Sequence, residues 1–107
     1  MAFLIQLLLP ISDHTGAPIS PTLTSGVRRE LKDKFGGVTA FTRSPAEGSW
    51  EDPEGRTVRD DVVVIEVMAE HLDREWWKTY SAELAKRFGQ EEVVIRAIAF
   101  ESLTERT

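Results

Sequence analysis

The sequence predicts an α+β sandwich, because one residue pattern occurs in it twice. Each copy has an apolar run, then apolar residues at helical spacing that end at a glycine, then a second β-prone run. The matching positions are Leu31, Phe35, Gly36 and Val38 in the first copy and Leu84, Phe88, Gly89 and Val93 in the second. The element order is therefore strand, helix, strand, strand, helix, strand, which is typical of the ferredoxin-like, split-βαβ fold.

The predicted fold class is a ferredoxin-like βαββαβ sandwich formed by a single domain, residues 1–107. A chain of this length holds one hydrophobic core. We expect a four-stranded antiparallel-mixed sheet in the order 4-1-3-2, with the first and third strands central and parallel. Two helices cover one face, and a long hairpin joins the second and third strands.

The first strand is expected over the apolar run 3–9, and the first helix after it. Ser20 suits the N-cap, and Pro21 suits the first helical position, where its missing N–H costs nothing. Gly36 is expected to end this helix in the left-handed conformation.

Residues 44–61 are predicted to form a projecting hairpin between the second and third strands. The Asp52-Pro53-Glu54-Gly55 segment has the residue preferences of a type I turn. A disordered polar loop is the alternative interpretation of this segment.

The third strand is expected over the run 62–68, and the second helix has Asp73 as its N-cap. Trp76 and Trp77 lie about 100° apart around that helix, so only one of the two rings can face the core. Gly89 ends the helix, and the fourth strand follows.

Both faces of the predicted sheet are apolar. One face, built from alternate residues such as Ile5, Leu7 and Ile65, is expected to lie under the helices. The opposite face is too apolar to be left in water, which indicates an interaction surface. A second copy of the chain is the expected cover.

Gln6, Glu66 and Arg96 fall at matching positions on three neighbouring strands of that opposite face. We expect a buried pair of opposite charges bridged by an amide. Two interpretations stay open. The three residues fix the register of a subunit interface, or they bind a small acidic or carbonyl ligand, with Arg96 as anion clamp and Glu66 as base. Arg43 lies on the same face and is a further candidate ligand-binding residue.

A second candidate site follows from the expected parallel direction of the first and third strands. Asp13 and His14 follow one strand, Glu70 and His71 follow the other, and both pairs would then emerge at the same edge of the sheet. His14 and His71 are the candidate metal ligands, although their spacing matches no metal-binding motif.

Composition excludes several classes of function. The 13 basic and 18 acidic residues give a net charge of −5, the wrong sign for nucleic-acid binding. The chain has no cysteine, so disulfides and thiolate chemistry are excluded, which suits the cytoplasm. We expect no membrane partner and no cofactor, since no membrane-spanning run and no glycine-rich phosphate loop occur.

The element order, the long hairpin after the Phe35-Gly36-Gly37-Val38 segment and the Val64-Ile65-Glu66-Val67 strand resemble PII-like and CutA-like bacterial proteins. That resemblance implies a ferredoxin-like fold and a trimer. The basic nucleotide-binding positions of PII proteins have no counterparts here, so nucleotide binding is not implied. The apolar open face is similar to that of dimeric α+β barrel proteins, which pack two sheets together and often hold a ligand between them.

We therefore expect a cytoplasmic homodimer or homotrimer, joined through the open sheet face and the hairpin. Its expected function is binding of a small molecule or a protein in a regulatory or accessory role. One alternative is a cofactor-free dimeric α+β barrel enzyme, an isomerase or oxygenase, that uses Glu66, Arg96 and His14. A purely structural interaction protein is the other alternative.

Overall fold

The computed structural model describes residues 2–13, 15–43 and 62–105, and the side chains of residues 40–43 lie outside this description. The elements are β1 (Ala2–Pro10), α1 (Pro21–Phe35), β2 (Thr39–Arg43), β3 (Val62–Ala69), α2 (Arg74–Arg87) and β4 (Val94–Phe100). The predicted hairpin and turn within residues 44–61 lie outside the described residues. The order β2-β3-β1-β4 places β1 and β3 in the middle of the sheet.

The predicted ferredoxin-like, antiparallel-mixed fold class is wrong in its sheet. All paired strands are antiparallel, including β1 and β3, which were expected to be parallel. Side chains are described along the whole length of three antiparallel strands, with β1 between β3 and β4. The backbone of β2 (Thr39–Arg43) pairs with β3 on the side away from β1. The overall class is α+β.

The physical reason lies in the connections. A strand, helix, strand unit returns the chain in its starting direction, so β2 runs parallel to β1 without touching it. β3 pairs directly with β2 in the opposite direction and lies between β2 and β1. It is therefore antiparallel to both neighbours.

The two helices begin where their capping residues predict. The Ser20 hydroxyl accepts a hydrogen bond from the N–H of Thr22 at 3.3 Å, and Gly36 ends α1 with a φ of 86°. Asp73 caps α2 by accepting from the N–H of Trp76 at 3.1 Å. These side chains satisfy N–H groups that have no partner inside a helix.

The core lies between the helices and one face of the sheet, as the alternation predicts. Its members come from β1, β3 and both helices, with Phe88 and Val93 beyond the end of α2. The fully buried side chains are Ile5, Leu7, Leu9, Val27, Leu31, Ile65, Val67, Leu84, Phe88 and Val93.

Trp77 is the tryptophan that faces the core, with 6% of its surface exposed. Trp76 lies beside it, half-buried, and stacks on Tyr80 with ring centroids 4.8 Å apart. Trp76 also packs against the core from its edge, so the two rings differ in how deeply they are buried.

Neither helix within the described residues has the length and apolar character needed to cross a membrane. The cytoplasmic location stays a prediction.

Candidate functional site

Three polar side chains meet at the middle of the sheet face that the helices do not cover. Gln6 on β1 pairs across the sheet with Glu66 on β3 and with Arg96 on β4. Side chains on one face recur every second residue along a strand, so this cross-strand row places all three side chains on the same face. The predicted register of these residues is confirmed. We call Gln6, Glu66 and Arg96 the polar triad.

The polar triad is joined by two short hydrogen bonds. The Arg96 Nε–H donates to Gln6 Oε1 at 2.7 Å, and Gln6 Nε2 donates to Glu66 Oε2 at 2.7 Å. The amide thereby links a cation to an anion that lie on strands roughly 9 to 10 Å apart. Both hydrogen bonds involve a charged group and belong to the stronger class of hydrogen bond.

The triad retains unused hydrogen-bonding capacity. Within the described part of the chain, the Arg96 Nη groups and Glu66 Oε1 have no hydrogen-bond partner. Gln6 is 8% exposed, but Glu66 is half-buried and Arg96 is exposed. The expectation of a buried charge pair is therefore wrong for Arg96, because β4 is an edge strand and leaves the guanidinium open to solvent.

Apolar side chains flank the triad along the strands, two residues away in either direction. The cross-strand row on one side is Met68, Leu4 and Ile98, and the row on the other side is Val64, Leu8 and Val94. Met68, Ile98 and Val94 are 68%, 45% and 41% exposed, whereas Val64 is buried. These three rows together form the open face, an apolar surface with a charged centre that is exposed at Met68, Ile98 and Val94 and buried at Val64 and Gln6.

The backbone of Arg43, the fourth predicted ligand-binding residue, lies away from the polar triad. It pairs with Val62, whereas Glu66 pairs with Thr39. Four residues along a strand separate these positions by about 13 Å. The side chain of Arg43 lies outside the described residues, so its role stays a prediction.

The strand directions remove the reason for expecting the second candidate site. Because β1 and β3 are antiparallel, Pro10 lies opposite Val62, and the segments that follow the two strands leave from opposite ends of the sheet. His71 is exposed, and His14 lies outside the described residues. Within the described ranges, no group of three or more His, Cys, Asp or Glu side chains is placed to hold a metal ion.

Asp13 has a local structural role in the loop after β1. Its Oδ1 accepts hydrogen bonds from the Thr15 N–H at 2.8 Å, the Thr15 hydroxyl at 2.6 Å and the Ala17 N–H at 3.0 Å. A side chain that bonds the backbone a few residues ahead is a common way to fix a turn. This carboxylate therefore shapes the loop.

Sequence reasoning missed a cavity on the helix side of β4. Its volume is about 160 Å³, and it lies between the start of α2 and the edge of the sheet. It is lined by Ile5, Leu72, Arg74, Trp77, Lys78, Ile95, Arg96 and Ala97. Only the packing of α2 on β4 creates it, so no sequence pattern predicts it.

Sequence reasoning also missed a polar cluster that joins the two helices. The Arg87 guanidinium lies 2.6 Å from Glu30 Oε1 and 2.8 Å from Glu83 Oε1, and the Tyr80 hydroxyl donates to Glu30 Oε2 at 2.7 Å. Glu83 and Arg87 are four residues apart on one helix, a spacing that favours such a pair. Glu30 comes from α1, and its participation depends on how the helices pack.

The cluster shifts the pKa values of its members. Burial alone would raise the pKa of Glu30, but the hydrogen bonds from Arg87 and Tyr80 and the positive charge of Arg87 leave it below its ordinary 4.5. Burial and the hydrogen bond to Glu30 raise the pKa of Tyr80. The hydrogen bonds to Glu30 and Glu83 raise the pKa of Arg87.

We expect Glu30→Gln to flatten the acid side of the stability profile. The folded-state pKa of Glu30 lies below its unfolded value, so its contribution is present at neutral pH and is lost as the pH falls below about 5 through the folded pKa. Its side chain is 43% exposed, so solvent screening limits the loss at pH 7 to about 1 kcal/mol or less.

Urea unfolding at pH 7, 5 and 3 measures this effect. Glu75→Gln is the matched control, because Glu75 is 88% exposed and lies 4.0 Å from Lys78. An equal pH slope in the Glu30 variant and the wild type would contradict the expectation.

No family model and no curated protein matches this chain. Among solved structures, it is similar to a phage SAM lyase in complex with S-methyl-5′-thioadenosine. The TM-score is 0.61 at 14% sequence identity, and the alignment covers 91% of this chain and 80% of the other. At this identity the similarity shows a shared fold.

Proposed function

We propose that this protein binds a small molecule on the open face. The polar triad provides the recognition groups, with the Arg96 guanidinium for a carboxylate or carbonyl oxygen and Glu66 Oε1 for a cationic or hydrogen-bond-donating group. The observation that carries the proposal is the unused hydrogen-bonding capacity of a pre-ordered triad within an apolar surface. Binding sites for small molecules commonly combine apolar walls with a few fixed polar groups.

The fixed geometry of the polar triad favours a role in ligand recognition over a purely structural role. Gln6 holds the Nε edge of Arg96, so the hydrogen bond restricts the guanidinium while its two Nη groups stay available. A guanidinium in a fixed orientation suits planar, two-point recognition of a carboxylate. Restricting the group before binding also reduces the entropy lost when a ligand arrives.

The structural similarity is compatible with this proposal. The phage SAM lyase, whose fold this chain shares, was solved with a small molecule bound. S-Adenosylmethionine carries a carboxylate and two cationic groups, which makes it a suitable first probe for a site with one guanidinium and one carboxylate. S-Methyl-5′-thioadenosine lacks all three charged groups and is the matched neutral probe.

Calorimetric titration with S-adenosylmethionine, S-methyl-5′-thioadenosine, methionine, succinate and pyruvate tests the proposal. We expect at least one carboxylate-bearing compound to bind, and we expect Arg96→Met to weaken that binding about tenfold to a hundredfold. This range corresponds to one lost charged hydrogen bond. Lys32→Met, at an exposed lysine on α1 that lines neither the open face nor the cavity beside β4, is the control for the loss of one positive charge and should leave binding unchanged.

Two results would overturn the proposal. One is the absence of binding by every compound in the panel, and the other is binding that Arg96→Met and Glu66→Gln leave unchanged.

The S-adenosylmethionine samples also test cleavage, the second candidate function, which only the fold shared with the phage enzyme favours. Chromatography after incubation would show whether S-adenosylmethionine is consumed and whether Glu66→Gln stops its consumption.

A further inference from the structure

The open face has a charge pattern that is complementary to itself. Its central row holds an anion on β3, a neutral amide on β1 and a cation on β4, which are Glu66, Gln6 and Arg96. The two charges therefore lie on opposite sides of β1, at equal numbers of strands from it. Apolar rows flank this central row on both sides.

We propose that a second copy of this chain covers the open face, related by a two-fold axis parallel to β1. Such an axis exchanges the β3 side of one copy with the β4 side of the other. Glu66 of each copy then lies opposite Arg96 of the other copy, and the two Gln6 side chains face each other. This inference deepens the proposed function, because the second copy covers the ligand site and contributes charged groups to it. Its statement about the ligand rests on the proposed function.

The charges favour this axis over the other two-fold axis that lies parallel to the plane of the sheet. An axis perpendicular to the strands through Gln6 places Glu66 against Glu66 and Arg96 against Arg96. Facing like charges in an apolar contact are strongly unfavourable. The parallel axis instead produces two equivalent pairs of opposite charges, as required of an interface formed by the same patch on both subunits.

The apolar positions of the Met68, Leu4 and Ile98 row match under the same operation. Met68 of one copy lies opposite Ile98 of the other, and Leu4 lies opposite Leu4. The most exposed of these, Met68 and Ile98, are 68% and 45% exposed in the single chain, so they have the most surface to bury. The parallel axis also keeps the strand directions of the two sheets aligned, which is a preferred way for sheets to pack face to face.

The distances suit side chains of these lengths. Two sheets packed face to face lie about 10 Å apart, and arginine and glutamate together span that gap. The Arg96 Nη groups and Glu66 Oε1 have no hydrogen-bond partner among the described residues, so the pair across the interface forms without breaking either hydrogen bond to Gln6. A small ligand that displaces this contact meets a guanidinium from one copy and a carboxylate from the other.

Size-exclusion chromatography with multi-angle light scattering measures the assembly directly. We expect the wild type to have twice the chain mass of 12.1 kDa at micromolar concentration. Arg96→Glu places a second carboxylate opposite Glu66 of the other copy, and Glu66→Arg places a second guanidinium opposite Arg96 of the other copy. Each variant alone should therefore run at the monomer mass.

An equimolar mixture of Arg96→Glu and Glu66→Arg proteins should recover the dimer mass, because every facing pair is then opposite in charge. Gln6 accommodates either charge on either side, since its amide carries both a donor and an acceptor. Lys78→Glu is the control for charge reversal away from the open face and should remain dimeric. Circular dichroism melting of each variant separates loss of assembly from loss of folding.

A wild-type monomer, a wild-type trimer, or folded single variants that fail to combine would each overturn the inference. A dimer that survives Arg96→Glu would overturn it as well. These measurements are made without ligand, so a result that overturns the dimer does not decide the titrations that test the proposed function. If ligand binding is absent in a confirmed dimer, the proposed function fails while the interface stands.

Discussion

Phe88→Ala should lower the free energy of unfolding by about 3 to 5 kcal/mol, the usual cost of removing a buried aromatic ring from a core. Phe88 is 2% exposed and is the largest fully buried side chain among the described residues. It follows α2 directly, and its N–H bonds the carbonyl of Leu84. The ring therefore ties the end of the helix into the core that supports β1 and β3.

Urea denaturation followed by circular dichroism measures this loss. A domain of this size is stable by roughly 5 to 15 kcal/mol, so the variant should lose a large part of its stability. Leu103→Ala is the control, because Leu103 is 87% exposed and its truncation should change stability by less than about 0.5 kcal/mol. A Phe88 variant that unfolds within about 1 kcal/mol of wild type would show that this ring is not in the core.

Local features of the fold were predictable from the sequence because local chemistry determines them. Ser20 and Asp73 cap helices through contacts with N–H groups two and three residues away, which no distant packing has to create. The two-residue period of the strands likewise predicts that Ile5 and Ile65 face the helices. Both side chains are fully buried.

Strand direction was predicted wrongly because it depends on the whole connectivity. The error for β1 and β3 carried over to the loop residues, since parallel strands would have brought His14 and His71 to one edge. In the antiparallel pair the same segments leave from opposite ends of the sheet. The argument that placed His14 near His71 rested on that one strand direction.

The candidate site on the open face was partly predictable. Gln6, Glu66 and Arg96 share a row because strand register follows the apolar alternation on both sides of each residue. Their exposure was not predictable, since it depends on which strand lies at the edge. Glu30, by contrast, belongs to a charged stretch that is typical of a solvent-facing helix surface, and only the packing of α1 on α2 gives it Arg87 and Tyr80 as partners.

Gln6→Met should cost about 1 to 2 kcal/mol of unfolding free energy, the second-largest single-residue effect on stability that we expect. The substitution keeps the length of the side chain but removes both 2.7 Å hydrogen bonds of the triad. Hydrogen bonds to charged groups contribute about 1.5 to 3 kcal/mol each in protected sites. The expected cost is smaller than the sum of two such bonds, because the exposed Arg96 and the half-buried Glu66 can bond water instead once the amide is removed.

The same measurement on a triple variant separates stability from function. Replacing Gln6, Glu66 and Arg96 together by methionine leaves no charge without a partner, and exchanging a whole polar group for apolar residues is often neutral or stabilising. We therefore expect the triple variant to unfold at a higher urea concentration than Gln6→Met alone, with all proteins compared at one concentration. Leu8→Met, a conservative change beside the triad, is the packing control and should cost less than about 1.5 kcal/mol.

Recovery of stability in the triple variant would mean that the fold does not need these polar groups. Charged groups that the fold can do without, in the centre of an apolar surface, are best explained by what they bind. A triple variant less stable than Gln6→Met would instead assign the triad to the fold itself. That result would remove the reason for expecting a ligand at Arg96 and Glu66.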